Sequence, residues 1–283
     1  MNQDYYTELR QLTDMICRKY SADPNVEAAM VTGSVSLGQV DAVSDVDMML
    51  YYRELPSAEI FESIKEEALA SGGGIYGYDP DEGLACYFFV NGVKVDIAFQ
   101  KTTAFAQMIQ DFVADPTTAD KNKLIIMSGI QQCVSLMGKE IIEDWQHQLN
   151  DLPASFSDEI VRAHLRFPPI AVLQEMGVDR EDYGFVYELI LEAVGNILTV
   201  LSGLNGMIPP GKIKGLALRL DKMAHKPANL AERVQQLWLL PPQEMVPHFY
   251  AIVDDLLALV EARTPHISTQ PVRERLQLRL EQR

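Results

Sequence analysis

The chain has 283 residues, 47% of them hydrophobic and 23% charged, and a formal net charge of −16. That length suits one large domain or two ordinary ones, each able to bury a core. The acidity argues against a grip on long nucleic acid through its phosphate backbone. It is also uneven: residues 1–150 hold 23 acidic and 10 basic side chains, a net of −13, whereas residues 151–283 hold 17 and 14, a net of −3. A cationic small molecule or a basic protein patch would be drawn to the first half. No apolar run approaches the roughly 20 residues that cross a bilayer, and the polar start Met1-Asn-Gln-Asp-Tyr-Tyr6 is not a secretion signal. Cys17, Cys86 and Cys133 are odd in number, far apart and in apolar surroundings, which predicts buried reduced thiols, a cytoplasmic location and no membrane partner.

In chain order, apolar positions at helical spacing predict a helix over residues 4–20. Val26 to Thr32 reads as a buried strand ending at Gly33, Val46 to Tyr52 as a second strand, and Ala58 to Ala70 as a helix closed by Ser71-Gly72-Gly73-Gly74. Leu84 to Val90 and Val93 to Phe99, joined by Asn91-Gly92, form a type I′ hairpin. After about Lys101 the strand signals stop. Thr103 to Phe112, Lys123 to Met137 and Ile141 to Leu149 read as helices, and Asn150 to Ser155 as a linker. Tyr183 to Leu204 carries a broad apolar stripe, and Lys212 to Met223, Leu230 to Leu239 and Pro242 to Arg263 continue the helical pattern. The tail from Thr264 is read as a peripheral helix or a partly disordered segment. The expectation is an α/β domain over 1–150, with a small mixed sheet, and an all-α helical bundle over 151–283.

The chemistry concentrates in Val31-Thr-Gly-Ser-Val-Ser-Leu-Gly38 and Ser44-Asp-Val-Asp-Met-Met-Leu50. Glycine at a strand-to-helix turn admits an anion close to the backbone, and the Ser34 hydroxyl can add a hydrogen bond to a phosphate oxygen. Alternation puts Asp45 and Asp47 on one side of a strand, where two carboxylates repel unless a cation sits between them. Val93, Val95, Ile97 and Phe99 alternate as an apolar face, and Asp96, on the other face of a strand where a lone Asp is disfavoured by propensity, is the third candidate ligand.

These residues resemble the nucleotidyltransferase superfamily that includes DNA polymerase beta and the kanamycin, streptomycin and lincosamide nucleotidyltransferases. The pattern is an apolar strand, Gly-Ser, a short gap, Asp-apolar-Asp-apolar, then a third acidic residue between apolar ones. Here it is Ala29-Met-Val-Thr-Gly-Ser34, Asp45-Val-Asp-Met48 and Val95-Asp-Ile97. The resemblance covers about residues 26–100 tightly and the helical half more loosely. It implies two Mg²⁺ ions held by Asp45, Asp47 and Asp96, a nucleoside triphosphate (ATP foremost) gripped at Gly33 and Ser34, and transfer of its nucleoside monophosphate to a hydroxyl of a small aminoglycoside- or lincosamide-like acceptor. Two other readings accompany it: nucleotidylation of a partner protein of toxin–antitoxin type, and a nucleotide-binding module without turnover. A homo-oligomer is compatible with all three.

Other signals weigh less. Gly72-Gly-Gly-Ile-Tyr-Gly77 matches a dinucleotide fingerprint in letters, but it follows a helix instead of a strand and is read as a flexible loop. Lys212 and Lys214, after Pro209-Pro210-Gly211 at an expected helix start, suit an anion such as a triphosphate. Glu188 and Glu192, one turn apart on the long helix, are candidate general bases by the same resemblance. The five histidines have no ligand-like spacing, and Trp145 and Trp238 read as packing residues.

Overall fold

Alternation of apolar and polar side chains sets the sheet. The computed structural model describes residues 3–116 and 120–278, and residues 1–2, 117–119 and 279–283 lie outside the description. Among the described residues, β1 (Val26–Thr32), β2 (Val46–Tyr52), β3 (Gly74–Asp79), β4 (Gly83–Val90), β5 (Val93–Lys101) and β6 (Val134–Met137) form one sheet in the order β3-β4-β5-β2-β1-β6. Only β2 and β5 run parallel; the other neighbours are antiparallel. Val46, Met48 and Leu50 of β2, Val95, Ile97 and Phe99 of β5 and Leu84, Cys86 and Phe88 of β4 are buried together. They pack against Leu9 and Ile16 of α1 (Gln3–Tyr20) and Phe61 and Ile64 of α3 (Ala58–Ala70). Because strand side chains alternate, Asp47, Asp96 and Tyr87 share the opposite face. On that face the Tyr51 ring meets Phe105 of α4 (Thr102–Ala114) at a tilt of 52° and Trp145 of α6 (Lys139–Asn150) edge-on at 75°, each with ring centroids 4.7 Å apart.

Contacts divide the chain into two units: Met1–Pro116 with Ile126–Leu152, and Thr117–Ile125 with Pro153–Arg283. The first is the α/β unit. Among the described residues the regular elements of the second are helical, with α7 (Ala154–His164), a π-helical turn (Val172–Gly177), α8 (Tyr183–Leu204), α9 (Leu216–Asp221), α10 (Leu230–Leu237), α11 (Pro242–Arg263) and α12 (Gln270–Leu276). Its core joins Val186, Ile190, Val194, Ile197 and Leu201 of α8 to Met245, Phe249, Val253, Leu256 and Val260 of α11. A mixed α/β sheet followed by a helical bundle is the fold class expected from the sequence.

Four expectations are corrected. Lys123 to Met137 is not one helix: α5 (Lys121–Gln131) ends and β6 pairs with β1 at the sheet edge. Val134-Ser-Leu-Met137 is short and follows a helix, so its β character was masked by its neighbours. The glycine-rich stretch is not a flexible loop from Gly74 onward but the edge strand β3. The helix expected at Lys212 begins four residues later, because Gly215 takes a left-handed conformation at φ +72° as its N-cap. Finally, α8 is long and apolar enough to cross a bilayer, contrary to the reading that no segment approaches this. Its apolar stripe faces the bundle core, and Glu188 and Glu192 lie on its exposed side. The tail forms α12, and the part of it from 279 on falls outside the described residues.

All three cysteines are buried and unbridged. Burial, with Glu67 and Asp96 adding to it, pushes the Cys86 thiol up to about 11, and burial pushes Cys133 up to about 12. The folded chain therefore keeps these protons while the unfolded chain, near its ordinary value of 9.0, loses them first. The stabilisation is whole below pH 9 and is lost as pH rises toward 11 and beyond. The urea midpoint is expected to fall across that window, and a flat midpoint would contradict this assignment.

Candidate metal and nucleotide site

A tightly bonded turn delivers the first carboxylate. The Asp41 side chain accepts from Val43 N–H at 3.1 Å and from Ser44 Oγ at 2.9 Å, while Ser44 Oγ accepts from Asp41 N–H at 2.9 Å. Tyr5 of α1 donates to the Ser44 carbonyl at 3.1 Å. Asp45 leaves this turn directly into β2. Register delivers the other two: Asp47 lies opposite Thr32 on β1 and opposite Asp96 on β5. The result is that Asp45, Asp47 and Asp96, all half-buried, can each offer an oxygen within 4.8 Å of the others. Three oxygen donors so close suit a hard divalent cation, which takes carboxylate ligands and keeps waters or phosphates for the rest.

Gly33 is required where it stands. It follows β1 at φ +67°, and a Cβ added there would lie 2.2 Å from Asp47 Oδ2. Absence of a side chain is thus what lets Asp47 reach its place. Gly33 also opens α2 (Gly33–Ser36), a single turn in which Ser36 Oγ donates to the Gly33 carbonyl at 3.0 Å. The Ser34 hydroxyl is shielded from solvent and has no hydrogen-bond partner among the described residues. An unpaired buried hydroxyl costs stability and marks a position that a ligand oxygen can satisfy.

Asp96 has protein partners that sequence reasoning missed. Lys94, two residues earlier on the same face of β5, donates to Asp96 Oδ2 at 2.7 Å and Oδ1 at 2.9 Å. Tyr76 of β3 donates to Asp96 Oδ1 at 2.5 Å, and Lys94 donates to the Tyr76 oxygen at 2.9 Å. The Lys94 ammonium also sits 5.0 Å from the Tyr87 ring centroid. Burial works against the Lys94 charge, but the hydrogen bonds to Asp96 and Tyr76 outweigh it and raise its pKa. Burial and the bond to Asp96 raise that of the Tyr76 phenol, with Lys94 acting the other way. The i, i+2 spacing of Lys94 and Asp96 was a usable signal for the ion pair; nothing local pointed to Tyr76, which comes from another strand.

The remaining candidates belong to the second unit. Glu188 and Glu192 are exposed on α8, and Lys212 and Lys214 are exposed in the segment before α9. Glu192 lines a cavity of about 440 Å³ with Arg166, Phe185, Asn196 and Arg275, among others. Asn196 is fixed there by His164, at 2.9 Å, and by the Arg166 carbonyl, at 3.1 Å. Glu188 does not line it.

No protein-family description and no curated protein matches the chain. Solved structures do. A nucleotidyltransferase-like protein from Exiguobacterium sibiricum is 14% identical with a TM-score of 0.37, the match spanning 89% of this chain and 74% of that one. The Cid1 poly(U) polymerase is 18% identical with a TM-score of 0.26, spanning 46% of this chain and 41% of that one. Likeness this loose carries no argument about activity.

Replacement of Gly33 by alanine tests the site geometry. A left-handed non-glycine residue costs roughly 1–3 kcal/mol, and the new methyl group forces Asp47 aside. Gly33→Ala is expected to melt at lower temperature and to bind Mn²⁺ at least about 10-fold more weakly by calorimetry, a loss of roughly 1.4 kcal/mol. Unchanged Mn²⁺ affinity would remove Asp47 from the ligand set.

Proposed function

We propose that the chain is a nucleotidyltransferase that moves a nucleoside monophosphate from a nucleoside triphosphate to a hydroxyl of a small molecule, releasing pyrophosphate. One observation carries this reading: two carboxylates from paired parallel strands and a third from the turn before β2 converge to within 4.8 Å beside a glycine turn with a serine hydroxyl that has no partner among the described residues. Like charges so close repel, and a cation between them would relieve that repulsion.

Asp45, Asp47 and Asp96 would hold Mg²⁺. When bound, the metal neutralises the triphosphate and the charge that develops on the attacking and leaving oxygens. The chain's own residues do the rest by position. Gly33 leaves its backbone open to a phosphate, and Ser34 Oγ supplies a donor with no competing partner among the described residues. Lys94, which bonds Asp96 in the protein alone, would keep a positive charge beside a cation-loaded site. Positioning and preorganised charge supply the rate in such a transfer, with no covalent enzyme intermediate required. Among the candidates of the helical unit, Glu192 lines a cavity beside two arginines and an oriented asparagine. ATP as donor rests on the sequence resemblance, and an amine-bearing acceptor is supported by the acidity of the first half.

Incubation with labelled ATP, Mg²⁺ and a panel of hydroxyl acceptors tests the reading. Acceptor-dependent pyrophosphate release is expected, and Asp47→Asn and Asp96→Asn should each lower it by more than about 100-fold, the scale of losing a main electrostatic contributor. Release that survives both substitutions would sink the assignment.

A further inference from the structure

Tyr76 is an inserted residue. β3 pairs Ile75 with Cys86 and Gly77 with Ala85, so two steps along β3 match one along β4 and Tyr76 is the bulge. Bulges re-aim side chains beside functional sites. Here the phenol crosses the sheet face to Asp96, its hydroxyl donating at 2.5 Å, and its ring lies over Tyr87 with centroids 5.2 Å apart and planes tilted by 35°. Glycines make the room: a Cβ on Gly73 would lie 2.0 Å from the Tyr87 carbonyl, and one on Gly74 would lie 3.0 Å from the Tyr87 ring. Packing does not account for the arrangement, because Tyr76 is 60% exposed. Bulge, glycines and hydroxyl contact together hold a hydroxyl group against the third carboxylate, where an acceptor hydroxyl has to arrive.

We propose that Tyr76 is a self-modification site, accepting the nucleoside monophosphate on Oη when no outside acceptor is bound. This rests on the nucleotidyl-transfer reading above. Tyr76 Oη bonds to the α-phosphorus of the bound nucleoside triphosphate. The bond from that phosphorus to its bridging oxygen breaks, and pyrophosphate leaves with the bridging oxygen. The phenol proton departs to solvent, to which Tyr76 is 60% exposed, while Lys94 Nζ, 2.9 Å from the phenol oxygen, offsets the charge left on it. The product is a phosphodiester joining Tyr76 to the nucleoside. It differs from nucleotidylation of a partner protein in needing no second chain, and an outside acceptor competes with it for the same carboxylate.

The full chain incubated with Mg²⁺ and a mixture of ATP, CTP, GTP and UTP, then examined by intact mass and peptide mapping, provides the test. Expected is a gain of one nucleoside monophosphate per chain, mapped to Tyr76, and its loss in Tyr76→Phe. Tyr76→Phe keeps the ring and is expected to retain triphosphate binding by calorimetry, so that loss of the adduct is not loss of the donor. Triphosphate binding with no adduct on Tyr76 overturns this proposal and leaves nucleotidyl transfer standing. An adduct mapped elsewhere also overturns it. Absence of triphosphate binding overturns both.

Discussion

Three carboxylates held against their own repulsion are the constraint around which the first unit is arranged. Two unit charges about 4 Å apart repel by roughly 1 kcal/mol in water and by about 4 kcal/mol at the intermediate dielectric of a protein surface. Something has to hold Asp47 and Asp96 side by side, and it is the parallel pairing of β2 with β5. On the reverse face of those same strands, Val46, Met48, Leu50, Val95, Ile97 and Phe99 are almost wholly removed from water. Each such burial stabilises by about 1.5–3 kcal/mol, so the apolar face outweighs the crowded polar one. Asp45 is brought in separately by the Asp41–Ser44 turn, anchored to α1 through Tyr5.

Lys94 and Tyr76 complete the balance. A single ammonium shared between Asp96, the Tyr76 oxygen and the Tyr87 ring removes part of the repulsion in the protein alone. It also gives Asp96 protein partners that a bound cation would compete with, whereas Asp47 owes its place to the missing side chain of Gly33. The site therefore has a fixed side, at β1 and β2, and an exchangeable side, at β3 to β5.

How much of this could be read from the sequence depends on distance along the chain. Local signals were sufficient for β1, β2, α3, α8 and α11, because strong periodicity and clear stops define their ends, and for the Asn91-Gly92 hairpin, where both residues take positive φ. The trio was legible because Asp45 and Asp47 form an Asp-x-Asp pair soon after Gly33-Ser34 and Asp96 is a lone carboxylate within a β-rich run. What escaped was decided between segments. β6 exists because β1 offers it an edge. The Tyr76 bulge depends on how β3 registers on β4. The late start of α9 reflects a left-handed Gly215 that a run of lysine and apolar residues conceals. Ser34 was picked for its hydroxyl, but only the fold shows that hydroxyl shielded and unpaired among the described residues.

The most direct measurement is calorimetric titration of Mn²⁺ into the wild-type chain and into Lys94→Met. If the trio is a cation site that Lys94 partly occupies, the wild type binds Mn²⁺ and Lys94→Met binds it more tightly, since the competing ammonium is gone and the repulsion it masked is exposed. Absence of binding in both proteins, or weaker binding in Lys94→Met, would contradict the account.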